Sequence, residues 1–334
     1  MLGAKGRHRR VGQHARWLLV VTALAGLVAS SCAVPPTSGQ GPADFVAPAT
    51  RDVIAVAYGS DPAQLLDLHL PSGPGPYPVV VYLHSGGWLG GSRANIPEFL
   101  RAQVARRGVA LVSVDYRLSG FAPDGSPLNS FPVPDQDVDQ AIRFVRARAA
   151  TWDLDPAMII LAGASAGGHL ALLAAAAPGQ FVSPTLPAAL RAVSPSVQGV
   201  MDFVGPSDLD WLLHNGISYA PFITAVYLGC PQGRADLCSD ALARSASPQS
   251  YVHAGIPPAY FAYGYYDGLV PAGPQGVAIA LPWALARNDF AIEPIFVRGT
   301  YLEIAAAGHN LDMSNFAYRS MQVWIDYTIA GVFK

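Results

Sequence analysis

A serine between small residues, in Gly163-Ala164-Ser165-Ala166-Gly167, is the stretch best equipped for chemistry. The apolar run Ile159 to Ala162 leads into it, and the Ala/Leu-rich run Leu170 to Ala177 leaves it. That pattern reads as a buried strand, a very tight turn and a helix. Such a turn lifts the hydroxyl clear of the sheet and needs glycine where backbones approach. In a chain with 33 glycines the pentapeptide alone is weak, and the strand and helix around it supply the context. A serine hydroxyl is a poor nucleophile until a base takes its proton, and a third group must fix the tautomer of that base. His309, in Ala307-Gly308-His309-Asn310, follows the last predicted strand and precedes the last predicted helix. Asp267, in Tyr263 to Pro271, lies at the end of the strand before. Ser165, His309 and Asp267 are therefore the expected nucleophile, base and orienting acid. The other histidines are worse placed. His8 and His14 are N-terminal, His69 is mid-strand, His84 opens a glycine run, His169 is in the helix after Ser165, and His214 and His253 flank an irregular segment.

A carbonyl attacked by serine becomes an oxyanion that needs preorganised N–H donors. His84-Ser85-Gly86-Gly87 follows a buried strand, and the N–H groups of Gly86 and Gly87, with that of Ala166, are the expected donors. Residues 210–250 are irregular and aromatic. They are expected to wall a substrate pocket through Trp211, Leu212, Tyr219, Phe222, Ile223 and Tyr227, with Trp88 beside them. Plain core packing is the alternative for these side chains.

The elements that must position these groups follow in order. Strands are expected at Val53–Tyr58, Leu65–Leu70 (a half-buried edge region), Val79–Leu83, Val109–Val114, the run into Ser165, a run from Val197, Ala259–Tyr263 and Ile292–Val297. Helices are expected at Ile96–Arg107, Asp135–Ala150, after Ser165, Val277–Ala286 and Met313–Tyr327. Residues 119–134 and 298–304 read as loops. Strands alternating with helices imply a mostly parallel sheet covered on both faces. No internal repeat is visible.

The chain has 334 residues, 51% hydrophobic and 13% charged, with a net charge of −2. That length suits one large α/β domain. Without a basic block beyond the N-terminus, nothing suggests a nucleic-acid partner. Lys5, Arg7, Arg9, Arg10 and Arg16 precede the apolar run Trp17 to Val28, and Ala29-Ser30-Ser31 lead to Cys32. These are the parts of a secretory signal, and the apolar run is short for a bilayer span. Small residues before Cys32 resemble a bacterial lipobox, with Ala29 where Leu is usual. Lipidation of Cys32 and attachment to the outer face of the cell membrane are the expectation. Ordinary cleavage nearby, with secretion, and an uncleaved anchor are the alternatives. Residues 33–50, rich in Pro, Gly and Ser, read as a tether before a domain at 51–334. Outside the cytoplasm Cys230 and Cys238 are expected to pair, two buried free thiols being the alternative. A metal site needs more ligands than their segment offers.

Taken together, the motifs resemble the α/β-hydrolase fold and, within it, the HGGG-type esterase/lipase group (hormone-sensitive-lipase-like and feruloyl-esterase-like proteins). The likeness runs from about residue 54 to 330. His84-Ser85-Gly86-Gly87-Trp88 with Gly91-Ser92-Arg93 is similar to HGGGW…GSK, and Asp115-Tyr116-Arg117-Leu118 to DYRL. Asp155-Pro156 with Gly163 to Gly168 is similar to DP…GxSAGG, Gly205 to Leu209 to GPTDL, and Ser247-Pro248 to SP. Tyr263 to Pro271 is similar to HGDxDxxVP, and Gly308-His309 to the terminal GH. The order Ser, Asp, His is that of the fold. The resemblance implies an eight-stranded, mostly parallel sheet, helices on both faces and a small cap-like insertion at 210–250. It also implies hydrolysis of a small-molecule or lipid carboxylic ester through an acyl-enzyme, without metal or organic cofactor. Ser85 stands where Gly is usual, and a positive φ there would strain it; its hydroxyl is an alternative oxyanion donor. Tyr263 replaces a common His and Tyr265 a common Asp. The separation of 42 positions from Asp267 to His309 is long for the group, with the loop 298–304 expected to absorb the excess. His169 matches the end of SAGGH and is expected to be structural. Rival readings are a peptidase or amidase using the same three residues, and a catalytically silent binding protein.

Overall fold

Val79, Val80, Val81, Tyr82 and Leu83 are consecutive and all buried, yet they divide between two cores. Alternation along a strand sends Val79, Val81 and Leu83 to one face of a sheet and Val80 and Tyr82 to the other. A strand that is apolar on both sides must lie in the middle of a covered sheet. In the computed structural model, which describes residues 49–287, 299–305, 307–309 and 317–331, it does. Eight strands run in chain order: β1 (Arg51–Ala57), β2 (Leu65–Leu70), β3 (Tyr77–Leu83), β4 (Ala110–Val114), β5 (Leu154–Ala164), β6 (Gly199–Phe203), β7 (Ala259–Gly264) and β8 (Thr300–Ala305). Their spatial order is β1-β2-β4-β3-β5-β6-β7-β8. Pairs from β4 through β8 are parallel, while β2 is antiparallel to both its neighbours.

The α-helices of six residues or more are, among the described residues, α1 (Glu98–Arg106), α2 (Val133–Ala147), α3 (Ala166–Ala176), α4 (Leu209–Asn215), α5 (Ala220–Leu228), α6 (Asp240–Ser245), α7 (Ala278–Arg287) and α8 (Ala317–Ile329). One face of the sheet packs against α2, α3, α7 and the helices of the 209–245 segment, with Val138, Leu170, Leu212 and Trp283 among its core residues. The other face packs against α1 and α8 through Leu100, Val104, Met321 and Trp324. Each such large apolar side chain contributes about 1.5–3 kcal/mol when fully buried.

Three expectations change. β2 is not an edge, because β1 covers it, and His69 on its polar side is buried with Nδ1 3.0 Å from Asp52. The expected loop 298–304 is largely β8, so it absorbs no excess length. There, Leu302 and Ile304 join one core and Tyr301 the other, a period-two pattern of β-favouring residues. Residues 119–134 contain a two-residue ribbon, Gly120–Phe121 against Pro127–Leu128, and the first turn of α2. The strand expected at Ile292–Val297 lies outside the described residues. So do the signal region, Cys32 and all but the last two residues of the expected tether.

Candidate active site

Between β5 and α3 the chain passes through Ser165 at φ 52°, ψ −119°. Residues with a side chain avoid that region, and they occupy it where their surroundings hold them. Ser165 N–H donates to Phe203 O (2.8 Å), and its carbonyl accepts from His169 N–H (3.0 Å). A Cβ on Gly163 would lie 2.1 Å from Gly167 O, and one on Gly167 would lie 2.0 Å from Leu83 O. The two glycines are thus fixed by backbone packed against backbone, as the strained turn requires.

Asp267 follows the tip of β7, with its side chain fully buried. Its Oδ1 accepts from Leu269 N–H (2.8 Å) and Val270 N–H (2.9 Å), and its Oδ2 lies 2.8 Å from His309 Nδ1. His309 Nε2 lies 2.9 Å from Ser165 Oγ. With Nδ1 facing a carboxylate, the tautomer that fits carries its proton there and leaves Nε2 free to accept the serine proton. The three residues expected from the sequence stand in one hydrogen-bonded row.

Gly86 and Gly87 lie at φ 127° and 61° in the loop after β3. Gly86 O accepts from Leu89 N–H (3.1 Å) and Gly90 N–H (3.0 Å), which closes the turn. Among the described residues, no protein acceptor takes the N–H of Gly86 or Gly87. Ala166 N–H is the first of α3, one of the donors a helix leaves unpaired. Ser85 is not at positive φ, so the strain expected there is absent; Trp88 carries it instead, at φ 61°.

A layer behind these groups holds them, and the sequence reading assigned it little. Trp88 is buried, donates its indole N–H to His169 Nδ1 (3.3 Å) and stacks on Tyr227 with centroids 4.5 Å apart. His169 Nε2 lies 2.8 Å from Ala246 O, so Nε2 carries the proton. Burial pushes this imidazole down to about 4, so the ring is neutral. The Asp-Tyr-Arg-Leu motif works in the same layer. Asp115 pairs with Arg93, Tyr116 OH donates to His84 O (2.8 Å), and Arg117 pairs with Asp137 (2.6 Å).

A cavity of about 510 Å³ opens onto Ser165 and His309. Its walls include Ser85, Gly86, Gly87 and Trp88 from the loop after β3, and Leu212, Tyr219, Ala220, Ile223 and Thr224 from the 209–245 segment. Pro97, Phe99, Ala164, Phe203, Val204, Pro206, Leu269 and Val270 complete them, none of which the sequence marked as wall residues. Three expected wall residues are elsewhere. Tyr227 is fully buried on the far side of Trp88, and its hydroxyl donates to Asp135 Oδ2 (2.8 Å). Phe222 is half-exposed and leans on the turn at Gly233, where a Cβ would meet its ring at 2.6 Å. Trp211 packs sideways against the main core. Cys230 and Cys238 form a disulfide beside this turn. Among the described residues, Asp210, His214 and Asp240 could converge on a cation. Arg244 already sits among them, 3.0 Å from Asp210 and 3.9 Å from Asp240.

A family model described as BD-FAE matches residues 66–279. Esterase LipC of Mycobacterium tuberculosis (strain ATCC 25618 / H37Rv) is 30% identical over 263 residues, 77% of this chain and 59% of that protein. Esterase LipQ of the same strain is 27% identical over 237 residues, 71% of this chain and 51% of that protein. The chain thus spans little more than half the length of these curated relatives. Among solved structures, a truncated carbohydrate esterase from gut microbiota superposes with a TM-score of 0.67 at 21% identity, covering 87% of this chain and 100% of that one. The propionate-bound esterase Est2 of Thermogutta terrifontis superposes with a TM-score of 0.60 at 23% identity, covering 86% and 96%. At that identity the likeness is one of fold.

Proposed function

Because the chain belongs to the BD-FAE family of the α/β-hydrolase fold, we propose that it is a serine ester hydrolase with Ser165, His309 and Asp267 as catalytic residues. The observation that carries this reading is the row Asp267 Oδ2, His309 Nδ1, His309 Nε2, Ser165 Oγ, spaced 2.8 and 2.9 Å, at the mouth of a mostly apolar cavity. The similarity to the esterases LipC and LipQ supports the ester bond as its target.

Ser165 Oγ attacks the acyl carbon while His309 Nε2 takes its proton. The new negative charge falls on the carbonyl oxygen, where the N–H groups of Gly86, Gly87 and Ala166 receive it; each such donor lowers the barrier by about 3 kcal/mol. His309 then returns its proton to the leaving alcohol, and Asp267 offsets the imidazolium charge in both states. Water repeats the sequence on the acyl-enzyme. Among the described residues, no Lys, Arg, Asp or Glu lines the cavity, which supports an uncharged ester as its substrate.

Residues 33–334 should hydrolyse short-chain p-nitrophenyl esters, and Ser165→Ala should lower kcat by about 10⁴-fold or more. Equal turnover by both forms, or no labelling of Ser165 by a fluorophosphonate, would overturn the assignment. We further propose export and lipidation at Cys32, a reading supported by residues 5–32 and by the Cys230–Cys238 disulfide. Metabolic labelling with a fatty-acid analogue should tag the full chain and not its Cys32→Ser variant; an untagged full chain would sink this part.

A further inference from the structure

Asp202 is the penultimate residue of β6, the strand beside the one that leads to Ser165, and it is completely buried. Its Oδ1 accepts from Gly205 N–H at 2.8 Å. Tyr263 Oη lies 2.6 Å from Asp202 Oδ2 and also 2.6 Å from Gly205 O. A phenol carries one proton. It can serve the carboxylate or the carbonyl, but a second proton is needed to hold both oxygens this close to its own. The carboxyl is the group that can carry it. Asp202 Oδ2–H then donates to Tyr263 Oη, Tyr263 Oη–H donates to Gly205 O, and Gly205 N–H donates to Asp202 Oδ1. Every polar atom in the ring is satisfied and no charge is buried.

The surroundings agree. Added Cβ atoms on Gly168 and Gly205 would each lie 2.3 Å from Asp202 Oδ1, so α3 and the turn after β6 close tightly over it. β7 and its following loop contribute Tyr263 and Asp267, α3 contributes His169, and the turn leading into α4 contributes Asp208. Residues 158–177, 199–209 and 259–277 include no Lys or Arg. With no cation on these segments to pair it, burial pushes this carboxyl up to about 8.

The ring grips one particular place. Val204, between Phe203 and Gly205, is β-branched and sits at φ 53°, a conformation such residues almost never adopt. It lines the cavity over Ser165. Its own N–H is tied to Ala262 O (2.8 Å), and the N–H and carbonyl of the next residue are both committed to the ring. We propose that Asp202 is held as a neutral carboxylic acid and acts as a positioning residue that fixes the Val204 wall of the site. The second half rests on the ester-hydrolase reading.

Infrared difference spectra on protein carrying ¹³C-carboxyl aspartate test the first half without turnover. At neutral pH the intact protein should show an isotope-sensitive carboxylic-acid carbonyl band. Asp202→Asn should remove it, and Tyr263→Phe, which deletes its acceptor, should shift it. Absence of a band that depends on Asp202, or one unmoved by Tyr263→Phe, overturns the proposal even if one variant does not fold. Kinetics test the second half. The Asn amide donates where the acid did, so Asp202→Asn should keep kcat/KM within about three-fold of wild type, while Asp202→Ala should raise KM about ten-fold or more with a smaller change in kcat. Equal loss in both variants overturns the positioning role. If the protein hydrolyses no ester at all, the functional reading fails while the infrared band still decides the state of Asp202.

Discussion

Asp267 is fixed on one oxygen by two backbone N–H groups and faces His309 with the other, so the geometry of the proposed base is set before any ligand arrives. Asp267→Asn would place an amide opposite Nδ1 and invert the tautomer. Its kcat should fall by about 10³–10⁴-fold with KM little changed, in steady-state assays on an activated ester. A loss under ten-fold would mean that another group orients the ring. Gly167→Ala probes the turn itself. Its Cβ would meet Leu83 O at 2.0 Å and His84 O at 2.6 Å, and neither backbone atom can step aside. Urea unfolding should register a loss of about 3 kcal/mol or more. At this scale Ser165 and Asp267 were legible because each stands at a strand end that hydrophobic patterning marks, whereas His309 follows β8, which was read as a loop, and was found from its Gly-His context and chain order. The groups behind the row of three were not legible. Asp202, Asp135 and His169 owe their roles to atoms 61–92 residues away in sequence, namely Tyr263 Oη, Tyr227 Oη and Ala246 O, and no local pattern encodes such a pairing.

Helix α5 forms part of the cavity wall, and its phase decides what the site admits. Ile223 Cδ1 would lie 3.1 Å from a Cβ on Gly87, so this side chain caps the space next to the expected oxyanion donors. Ile223→Ala should therefore raise the kcat/KM of a bulky ester relative to an acetate by about ten-fold, and an unchanged ratio across an acyl series would show that another wall sets size. The sequence does not reveal which face of α5 meets substrate, because nearly all of its residues are apolar and there is no polar stripe to orient it. Phe222 and Tyr227 were misplaced for that reason, while the expected Ile223 does line the cavity, together with Thr224. The strand β8 illustrates the opposite case: its alternation is readable, but a six-residue strand needs its neighbour to be recognised. Just beyond α5, the Cys230–Cys238 bridge spans eight positions. Replacing both cysteines by Ala should cost about 2–3 kcal/mol in chemical unfolding, with catalysis at low denaturant largely kept.

For the whole molecule, the buried acids give stability a particular dependence on pH. Asp202 is pushed up to about 8 and Asp135 to about 7, both by burial, against about 3.9 in an unfolded chain. The folded state thus keeps protons that the unfolded chain has released, so the stability these groups supply is complete below about pH 4 and declines until pH passes the folded values. Asp202→Asn removes its share of that slope. Thermal unfolding should show the variant gaining on wild type between about pH 5 and pH 8, and parallel curves would contradict the linkage. The architecture that sets these burial patterns, a central sheet apolar on both faces, was readable from strands such as β3; the path by which substrate enters was not. The segment over the site is stitched to the body along its length. Phe131 N–H donates to Tyr227 O (2.7 Å), Tyr227 Oη to Asp135, His169 to Ala246 O and Leu209 N–H to Ser247 Oγ (2.9 Å). A roof fastened at so many points does not swing aside at an oil–water boundary. Turnover should then rise as a smooth hyperbola with dissolved ester and show no jump where the ester begins to form droplets, as expected of a site that takes its molecules one at a time.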